Sequence, residues 1–160
     1  LTFHTREHNG SITERMRIDS SGDVTMSNQP YAHGVITGNI TSITTDYGIA
    51  LTTHSSRNCT PQTNSTHGPG ITITKAGFYI MNAIFLQDPV GTYIYVGWCV
   101  NGSMVHHWHS NHTVSNHDAH SSIGKYLNVG DHVTIEKTTA NNISTIYGNT
   151  HSAWWICKIG

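Results

Sequence analysis

Residues 75–87 read KAGFYIMNAIFLQ, and both alternating sets of side chains in this run are mostly apolar. Side chains of a β-strand point alternately to the two faces of its sheet. One set contains Phe78, Ile80, Ile84 and Leu86, and the other contains Tyr79, Met81, Ala83 and Phe85. Because a strand of an isolated antiparallel sandwich normally has one face in water, the pattern predicts that something else covers the second face, such as another subunit.

Strand patterns recur on both sides of this run, and helical periodicity is nearly absent. Residues 91–105, GTYIYVGWCVNGSMV, contain Asn101-Gly102, a dipeptide typical of a two-residue hairpin turn. Residues 125–139, KYLNVGDHVTIEKTT, predict a strand in which Val133 and Ile135 face the core. The residues predicted to face outward there are His132, Thr134 and Glu136.

The final run, 152–160, reads SAWWICKIG and is apolar on both phases, which predicts a central strand. Cysteines at three positions cannot form a complete set of disulfides, and we interpret them as small buried thiols; they are Cys59, Cys99 and Cys157. Taken with the preceding patterns, these runs predict an all-β protein.

The composition excludes several classes of function. Only 11% of residues are charged and the net charge is −1, so no basic field is present for nucleic acid. No apolar run approaches the roughly 18 residues that span a bilayer, and we expect no membrane insertion. Abundant Thr, Ser, Asn and Gly together with 9% aromatic residues indicate a rigid β protein with an uncharged polar surface.

The first 26 residues, LTFHTREHNGSITERMRIDSSGDVTM, predict short strands around a turn at 19–22. They contain too few apolar positions to fold alone. We therefore predict a short segment at 1–28 and a compact domain at 29–160. The chain begins within a strand-like pattern and without Met, from which we expect that it is part of a longer protein.

Within this segment, residues 14–26, ERMRIDSSGDVTM, resemble a motif found near the ends of bacteriophage tail-fibre and tail-spike shafts. There, Arg-Met-Arg-Ile is followed by Asp or Ser, then Gly, then a Val-rich strand. The chain departs from the motif after Val24, where Thr-Met replaces the usual Gly-Ile-Gly. The resemblance implies that 1–28 is shaft or neck, with the rest of the tail fibre as its neighbour on the N-terminal side.

Residues 29–160 resemble the C1q/tumour-necrosis-factor-like jelly roll. The likeness rests on Tyr31-Ala32, the run ITITKAGFYI (71–80), the turn at 100–102, residues 127–133 and the closing Ser152-Ala153-Trp154. It implies a ten-stranded sandwich that assembles as a homotrimer, with the strands at 78–86 and 154–159 in an inner sheet facing the threefold axis. A monomeric sandwich with an unusually apolar sheet is the alternative.

Taken together, the two resemblances imply a virion protein at the distal, extracellular end of a tail fibre. It would bind a host surface glycan or outer-membrane protein during phage adsorption. In the jelly-roll layout, the loops at 87–92, 110–119 and 138–151 lie at the apex, away from the chain termini. Amides, hydroxyls and aromatic rings there suit contact with sugars. The receptor-binding candidates are Trp108, Asn111, His112, Asn116, His117, Asp118, Asn142, Tyr147 and Asn149.

Histidine occupies six of the fifteen positions of HHWHSNHTVSNHDAH, residues 106–120. His107 and His109 form H-x-H, and three chains would supply six imidazoles, a set suited to iron, nickel or zinc. The jelly-roll layout, however, places their strand in the outer sheet, away from the axis. His112, His117 and His120 lie nearer the apex but are less regularly spaced. Histidines with no ligand role, or in receptor contact, are the alternatives, and we predict no required cofactor.

Protonation of all thirteen histidines would add thirteen positive charges to a chain whose net charge is −1. Crowded imidazoles repel one another once charged. Our hypothesis is that the assembly loosens in acid.

Sequence motifs of catalysis are missing: the chain has no H-E-x-x-H, G-x-S-x-G or Walker loop. Only nine Asp and Glu occur, and several are at predicted turns. We predict a protein without catalysis. Two alternatives stay open, a secreted cellular C1q-like or lectin-like ligand and a fibre-borne polysaccharide depolymerase.

Overall fold

The computed structural model describes residues 1–6, 8–41, 48–49, 52–63, 66–90, 94–110, 117–137, 142–149 and 151–160. Within these ranges it leaves out the side chains of 89, 90, 94, 95, 108–110, 117 and 142–144. All regular elements in the described ranges are β-strands. The same ranges contain no helix of the length and apolarity that crossing a membrane requires.

Fourteen strands form three antiparallel sheets. The strands are β1 (Thr2–Arg6), β2 (Ile12–Ile18), β3 (Val24–Thr25), β4 (Tyr31–Val35), β5 (Thr52–Arg57), β6 (Cys59–Gln62), β7 (Gly70–Ile73), β8 (Gly77–Val90), β9 (Ile94–Val100), β10 (Ser103–Ser110), β11 (His117–Leu127), β12 (His132–Lys137), β13 (Asn142–Tyr147) and β14 (Ala153–Lys158). The N-terminal sheet has the order β1-β2-β3, and the front sheet has the order β10-β9-β12-β7-β6. The back sheet has the order β11-β8-β14-β4-β5, and β13 also pairs with β8.

The front and back sheets pack face to face, which confirms the predicted all-β sandwich. They contain five and six strands where the resemblance implied ten in all. The eleventh strand is β13, which pairs with β8 outside the five-strand order of the back sheet. At Asn58, whose φ is 51°, one extended run is divided into β5 and β6. The two halves of this run lie in the back and the front sheet, so one segment supplies an edge strand to each.

The core lies between these two sheets and decides which of the two apolar sets of β8 is inward. The buried residues of β8 are Tyr79, Met81, Ala83 and Phe85. Facing them from the front sheet are the buried side chains of Trp98, Val133 and Ile135, the last two as predicted. Burial of an aliphatic or aromatic side chain stabilises a fold by about 1.5–3 kcal/mol, so this layer holds the sheets together.

Two further predictions are confirmed. Asn101 and Gly102 connect β9 to β10 with φ angles of 53° and 76°, the left-handed values that a tight two-residue hairpin requires. The last strand, β14, is central, since it lies between β8 and β4 in the back sheet.

The outward residues of β12 are not in water, contrary to the sequence interpretation. Thr134 and Glu136 are buried, and residues 48–49 pair with the edge of β12 beside them. Gly48 forms a β-bridge with Glu136, and the Ile49 amide donates to the carbonyl of Ile135 at 2.7 Å.

All three predicted apical loops contain strand. β10 ends at Ser110 and β11 begins at His117, both within the loop predicted at 110–119. Residues 87–90 continue β8, and residues 142–147 form β13, which pairs with the end of β8. Pairing with β13 therefore extends the back sheet along the last residues of β8.

The described strand ends define the two ends of the sandwich. His117 pairs with Gln87 and Asn142 pairs with Val90, whereas Leu127 pairs with Gly77. We call the end at 87–90 the apex and the end at Gly77 the base. Thirteen steps of β8 separate them, which corresponds to about 43 Å.

The N-terminal sheet joins the sandwich at the base. The Gln29 side chain donates to the Lys158 carbonyl at 2.6 Å, and the Asn58 side chain donates to the Asn28 carbonyl at 3.0 Å. Large apolar side chains of this small sheet are exposed; they are Leu1, Phe3, Ile12, Val24 and Met26. The boundary near residue 28 stays a prediction.

Candidate functional site

The face of the back sheet that points away from the core is the most apolar exposed surface among the described residues. We call it the open face. Its side chains follow from the strand pairings and alternate with the buried ones. Its members are Tyr31, His33, Val35, Phe78, Ile80, Asn82, Ile84, Leu86, His120, Ser122, Tyr126, Ala153, Trp155 and Cys157.

Aromatic side chains stand exposed on the open face. The exposed fraction is 43% for Phe78, 40% for Trp155 and 59% for Tyr126. Single exposed apolar residues are common on proteins, but contiguous apolar patches mark sites of interaction. The second apolar set of β8, which the sequence predicted to be covered by something else, is therefore left partly exposed by the described residues, and Phe78 is its most exposed member.

A shallow groove of about 640 Å³ crosses the open face between β14 and the edge strands β4 and β5. Trp155 pairs with His33 across two of these strands, and Cys157 pairs with Tyr31. The lining is therefore mostly aromatic and aliphatic. The groove can accept an apolar segment of a partner.

Four side chains form a column along the edge of this groove. The Arg57 guanidinium carbon lies 5.5 Å from the centre of the Tyr31 ring. The Tyr31 and His33 ring centres are 6.2 Å apart with planes at 21°. The His33 and His54 ring centres are 6.4 Å apart with planes at 4°. We call this set the histidine column.

An irregularity in the pairing of β4 with β5 positions His54. The register shifts between His33 and Gly34, so His54 has no direct partner in β4. Gly34 permits the close approach, because a Cβ at this position would collide with the backbone carbonyl of Thr52. The alternation Tyr31, His33, Val35 in YAHGV was a signal in the sequence that these side chains share a face, but the contribution of His54 had none.

The cysteines differ in environment, and all three lie in described residues and form no disulfide bond. Cys59 and Cys99 are buried, as predicted. Cys157 is only partly buried, contrary to that prediction, because it lies on the open face. Burial raises the pKa of the Cys157 thiol. Burial, and secondarily the neighbouring Cys157, raises the pKa of Cys59 to about 11.

Two of the predicted receptor-binding residues come together near the apex. Asp118 of β11 and Tyr147 of β13 pair with Leu86 from its two sides. The Tyr147 hydroxyl donates to Asp88 Oδ2 at 2.5 Å, and this hydrogen bond raises the pKa of Tyr147. Both residues lie beside the apical margin of the open face.

The other receptor-binding candidates are dispersed or not described. Asn149 is exposed in a turn with φ 59°, and its backbone N–H donates to the Ile36 carbonyl at 2.6 Å. The side chains of Trp108, His117 and Asn142 lie outside the described part. Asn111, His112 and Asn116 also lie outside the described residues.

The predicted metal ligands do not converge among the described side chains. His107 is exposed on β10 of the front sheet, whereas His120 lies on the open face of the back sheet. His109, His112 and His117 have no described side chain. Within the described part of the chain, no group of three His, Cys, Asp or Glu is arranged to hold a metal ion.

Comparison with solved structures identifies the fold. Murine APRIL at pH 8.0 superposes with a TM-score of 0.65 at 14% identity, over 82% of this chain and 99% of that one. Eiger TNF from S. frugiperda gives a TM-score of 0.62 at 12% identity, over 83% and 94%. Rabbit GITRL gives 0.52 at 14% identity, over 82% and 94%. The sandwich is therefore a TNF-like jelly roll, and at these identities the likeness is one of fold.

The sequence comparisons return nothing further. No family model matches the chain, and no curated protein matches it either.

Proposed function

We propose that the chain is the receptor-binding tip of a phage tail fibre, a homotrimer without catalysis that binds a host surface glycan or outer-membrane protein. It would act at the distal, extracellular end of the fibre in the virion. The observation that carries the proposal is the open face, an apolar surface on which Phe78, Tyr126 and Trp155 stay exposed among the described residues.

Assembly of identical copies supplies a cover for this face. Phe78 and Trp155 lie on the inner-sheet strands that the C1q/TNF-like resemblance assigns to the threefold axis. Removal of apolar area from water contributes about 25 cal/mol per Å². A closed ring of three copies uses two different surface patches of each copy, so part of the open face would receive a different surface of its neighbour.

The orientation of the sandwich supports the tip assignment. The shaft-like segment forms a sheet at the base, and the apex lies about 43 Å away along β8. A fibre that enters at the base would direct the apex toward the host. The exposed apolar side chains of the N-terminal sheet, such as Phe3 and Ile12, suit continued packing in a fibre of three chains.

The apex supplies polar groups for recognition. Asp118 is exposed, Asn149 is exposed in its turn, and Tyr147 presents a ring with a hydrogen-bonded hydroxyl. Carboxylates and amides bond sugar hydroxyls, and aromatic rings stack on sugar faces. These groups suit a glycan better than a flat apolar protein surface.

Binding to bacterial cells tests the proposal. Fluorescently labelled chain is added to a panel of Gram-negative cells and to their extracted lipopolysaccharide. We expect binding to a subset of the panel, and at least about fivefold weaker binding by the variant Asn149→Gly, since one good hydrogen bond contributes roughly 1 kcal/mol.

The control is Asn9→Gly in the N-terminal sheet. Asn9 and Asn149 are both exposed with left-handed φ values of 62° and 59°, so glycine relieves the same strain at both positions. Equal binding by the two variants, or no binding to any cell of the panel, contradicts the proposed tip.

The fold likeness to APRIL, Eiger TNF and GITRL favours a second candidate, a secreted cellular ligand. Saturable binding to animal cells with none to bacteria would select it. Release of soluble fragments from bacterial polysaccharide would instead support the depolymerase alternative.

A further inference from the structure

We infer that the histidine column lies in the contact between copies and makes the assembly dissociate in acid. The inference rests on the proposed homotrimer and assigns its regulation to His33 and His54 in particular, rather than to the thirteen histidines of the chain as a group.

The position of the column places it beside the surface that assembly would cover. His33 pairs with Trp155 across β4 and β14, and the groove between them is lined by both. Trp155 is the large aromatic residue at the centre of the open face. A copy that covers Trp155 therefore also covers the imidazole of His33, and His54 lines the same groove.

At neutral pH the two rings continue the apolar surface. The centres of the two imidazole rings are 6.4 Å apart and their planes are nearly parallel. In the neutral form they present an aromatic edge that can pack against a partner. Histidine ordinarily changes charge between about pH 5 and 8. Below that range the same contact would enclose two parallel cations.

Arginine extends the positive charge of the column. Arg57 stands over the Tyr31 ring on the other side of His33, and its guanidinium stays charged throughout. Protonation would thus place three cations in one row. Burial of charges without partners is strongly unfavourable.

Among the described residues, the titratable groups of the open face offer no nearby compensation. β14 contributes Cys157, β4 contributes Tyr31 and β11 contributes His120 and Tyr126. The carboxylates of this face, Asp118 and Asp88, lie at its apical end. Four residues of β8 separate the row of His33 from that of Asp118, about 13 Å along the strand, beyond the screening length of about 8 Å at physiological ionic strength.

The direction of the pH effect follows from these charges. The separated copies hold protons on His33 and His54 in water more readily than the assembled ones do. Association is therefore strongest above the titration range of histidine. It weakens as the pH falls through that range.

Sedimentation of the whole chain from about pH 8 to about pH 5 tests the inference. We expect the monomer–trimer association constant of the unaltered protein to fall at least about a hundredfold, because six histidines of a trimer lose their neutral form together. The double variant His33→Gln, His54→Gln should retain a trimer at both pH values, since glutamine does not titrate.

The matched control is the double variant His4→Gln, His8→Gln, which removes two exposed histidines of the N-terminal segment. It should respond to acid like the unaltered protein. Circular dichroism at each pH verifies that the single chain stays folded. If the first double variant does not fold, the single variant His54→Gln replaces it. It should lose at least half of the acid-induced change in the logarithm of the association constant.

The outcomes separate the inference from the proposed function. A monomer at pH 8 overturns the homotrimer itself. A trimer that is equally stable at both pH values, or that tightens in acid, overturns the inference alone. Equal acid responses of the two double variants also overturn it, because the sensitivity would then reside in other histidines.

Discussion

The outward faces of the front and back sheets differ in both polarity and exposure. On the front sheet, Thr134 and Glu136 point away from the core, yet they are buried, and residues 48–49 pair with the edge of their strand. On the back sheet, Phe78 and Trp155 point away from the core and stay exposed. The buried outward residues are polar and the exposed ones are apolar, the reverse of the usual arrangement.

Hydrogen bonding explains why the polar face can be buried. The His132 ring donates from Nε2 to the Gly68 carbonyl at 3.0 Å, and the Thr134 hydroxyl donates to the Glu136 carboxylate. Buried polar groups are tolerated when they have such partners. The polar groups of the front sheet thus find partners within the chain, whereas the apolar side chains of the back sheet stay exposed among the described residues and suit contact with a second copy.

Adjacent tryptophans give the sharpest test of this difference. Trp154 is 1% exposed in the core and Trp155 is 40% exposed on the open face. We expect Trp154→Ala to lower the free energy of unfolding by about 3–5 kcal/mol. Trp155→Ala should cost the single chain about 1 kcal/mol but weaken each contact between copies by at least about 2 kcal/mol. Denaturant unfolding and sedimentation measure the two effects.

Each tryptophan variant is the control for the other. The comparison fails if Trp155→Ala leaves the oligomeric state unchanged. It also fails if both variants destabilise the single chain equally, since the two faces would then be alike.

On the outward face of the front sheet, Thr134→Val is the corresponding test. Valine keeps the shape of threonine but removes the hydroxyl that donates to Glu136. A hydrogen bond to a charged group contributes roughly 1.5–3 kcal/mol, and we expect the free energy of unfolding to fall by that amount without a change in oligomeric state. Thr60→Val, at an exposed position of β6, should change it by no more than about 0.5 kcal/mol. A shift toward monomer in Thr134→Val would mean that this face also binds a partner.

The smallest expected effect concerns alkaline pH and Cys59. Its pKa is raised to about 11 by burial, against an ordinary thiol value near 9 in the unfolded chain. The folded state favours the protonated thiol, so this contribution is complete below about pH 9 and is lost as the pH rises toward 11. We expect a loss of roughly 1 kcal/mol by about pH 10.

Unfolding measured across that alkaline range, with Cys59→Ala as the comparison, isolates this contribution. Burial also raises the pKa of Tyr79. The variant should therefore keep part of the slope of the free energy of unfolding against pH. An identical slope in the two proteins would contradict the assignment to Cys59.

The strands β8 and β12 illustrate how far the sequence leads. In β12, the alternation of residues correctly predicted that Val133 and Ile135 face the core. For β8, both sets are apolar, so the alternation left the inward set open but indicated a second surface that needs a cover. For β12, nothing near His132 or Glu136 in the sequence indicates that residues 48–49 pair with this strand, because that pairing joins positions more than eighty residues apart.

The candidate site divides in the same way. The sequence placed Asp118 and Tyr147 near one end of the molecule, and the structure puts them on either side of Leu86. The H-x-H pattern drew attention to His107, yet His33 and His54 form the stacked pair. Spacing in the sequence detects histidines that are close along one strand, but this pair joins neighbouring strands at an irregular register.

By itself, the sequence determined the strand class, the inward phase of β12, the Asn101-Gly102 turn and the apolar character of both sides of β8 and β14. Those features are local, because the pleat fixes side-chain direction every second residue. Only the tertiary structure decided that β4 and β5 lie beside β14, and so brought Tyr31, His33 and His54 next to Trp155. Such neighbours depend on hydrogen-bonded register between strands far apart in the chain, and no local pattern encodes that register.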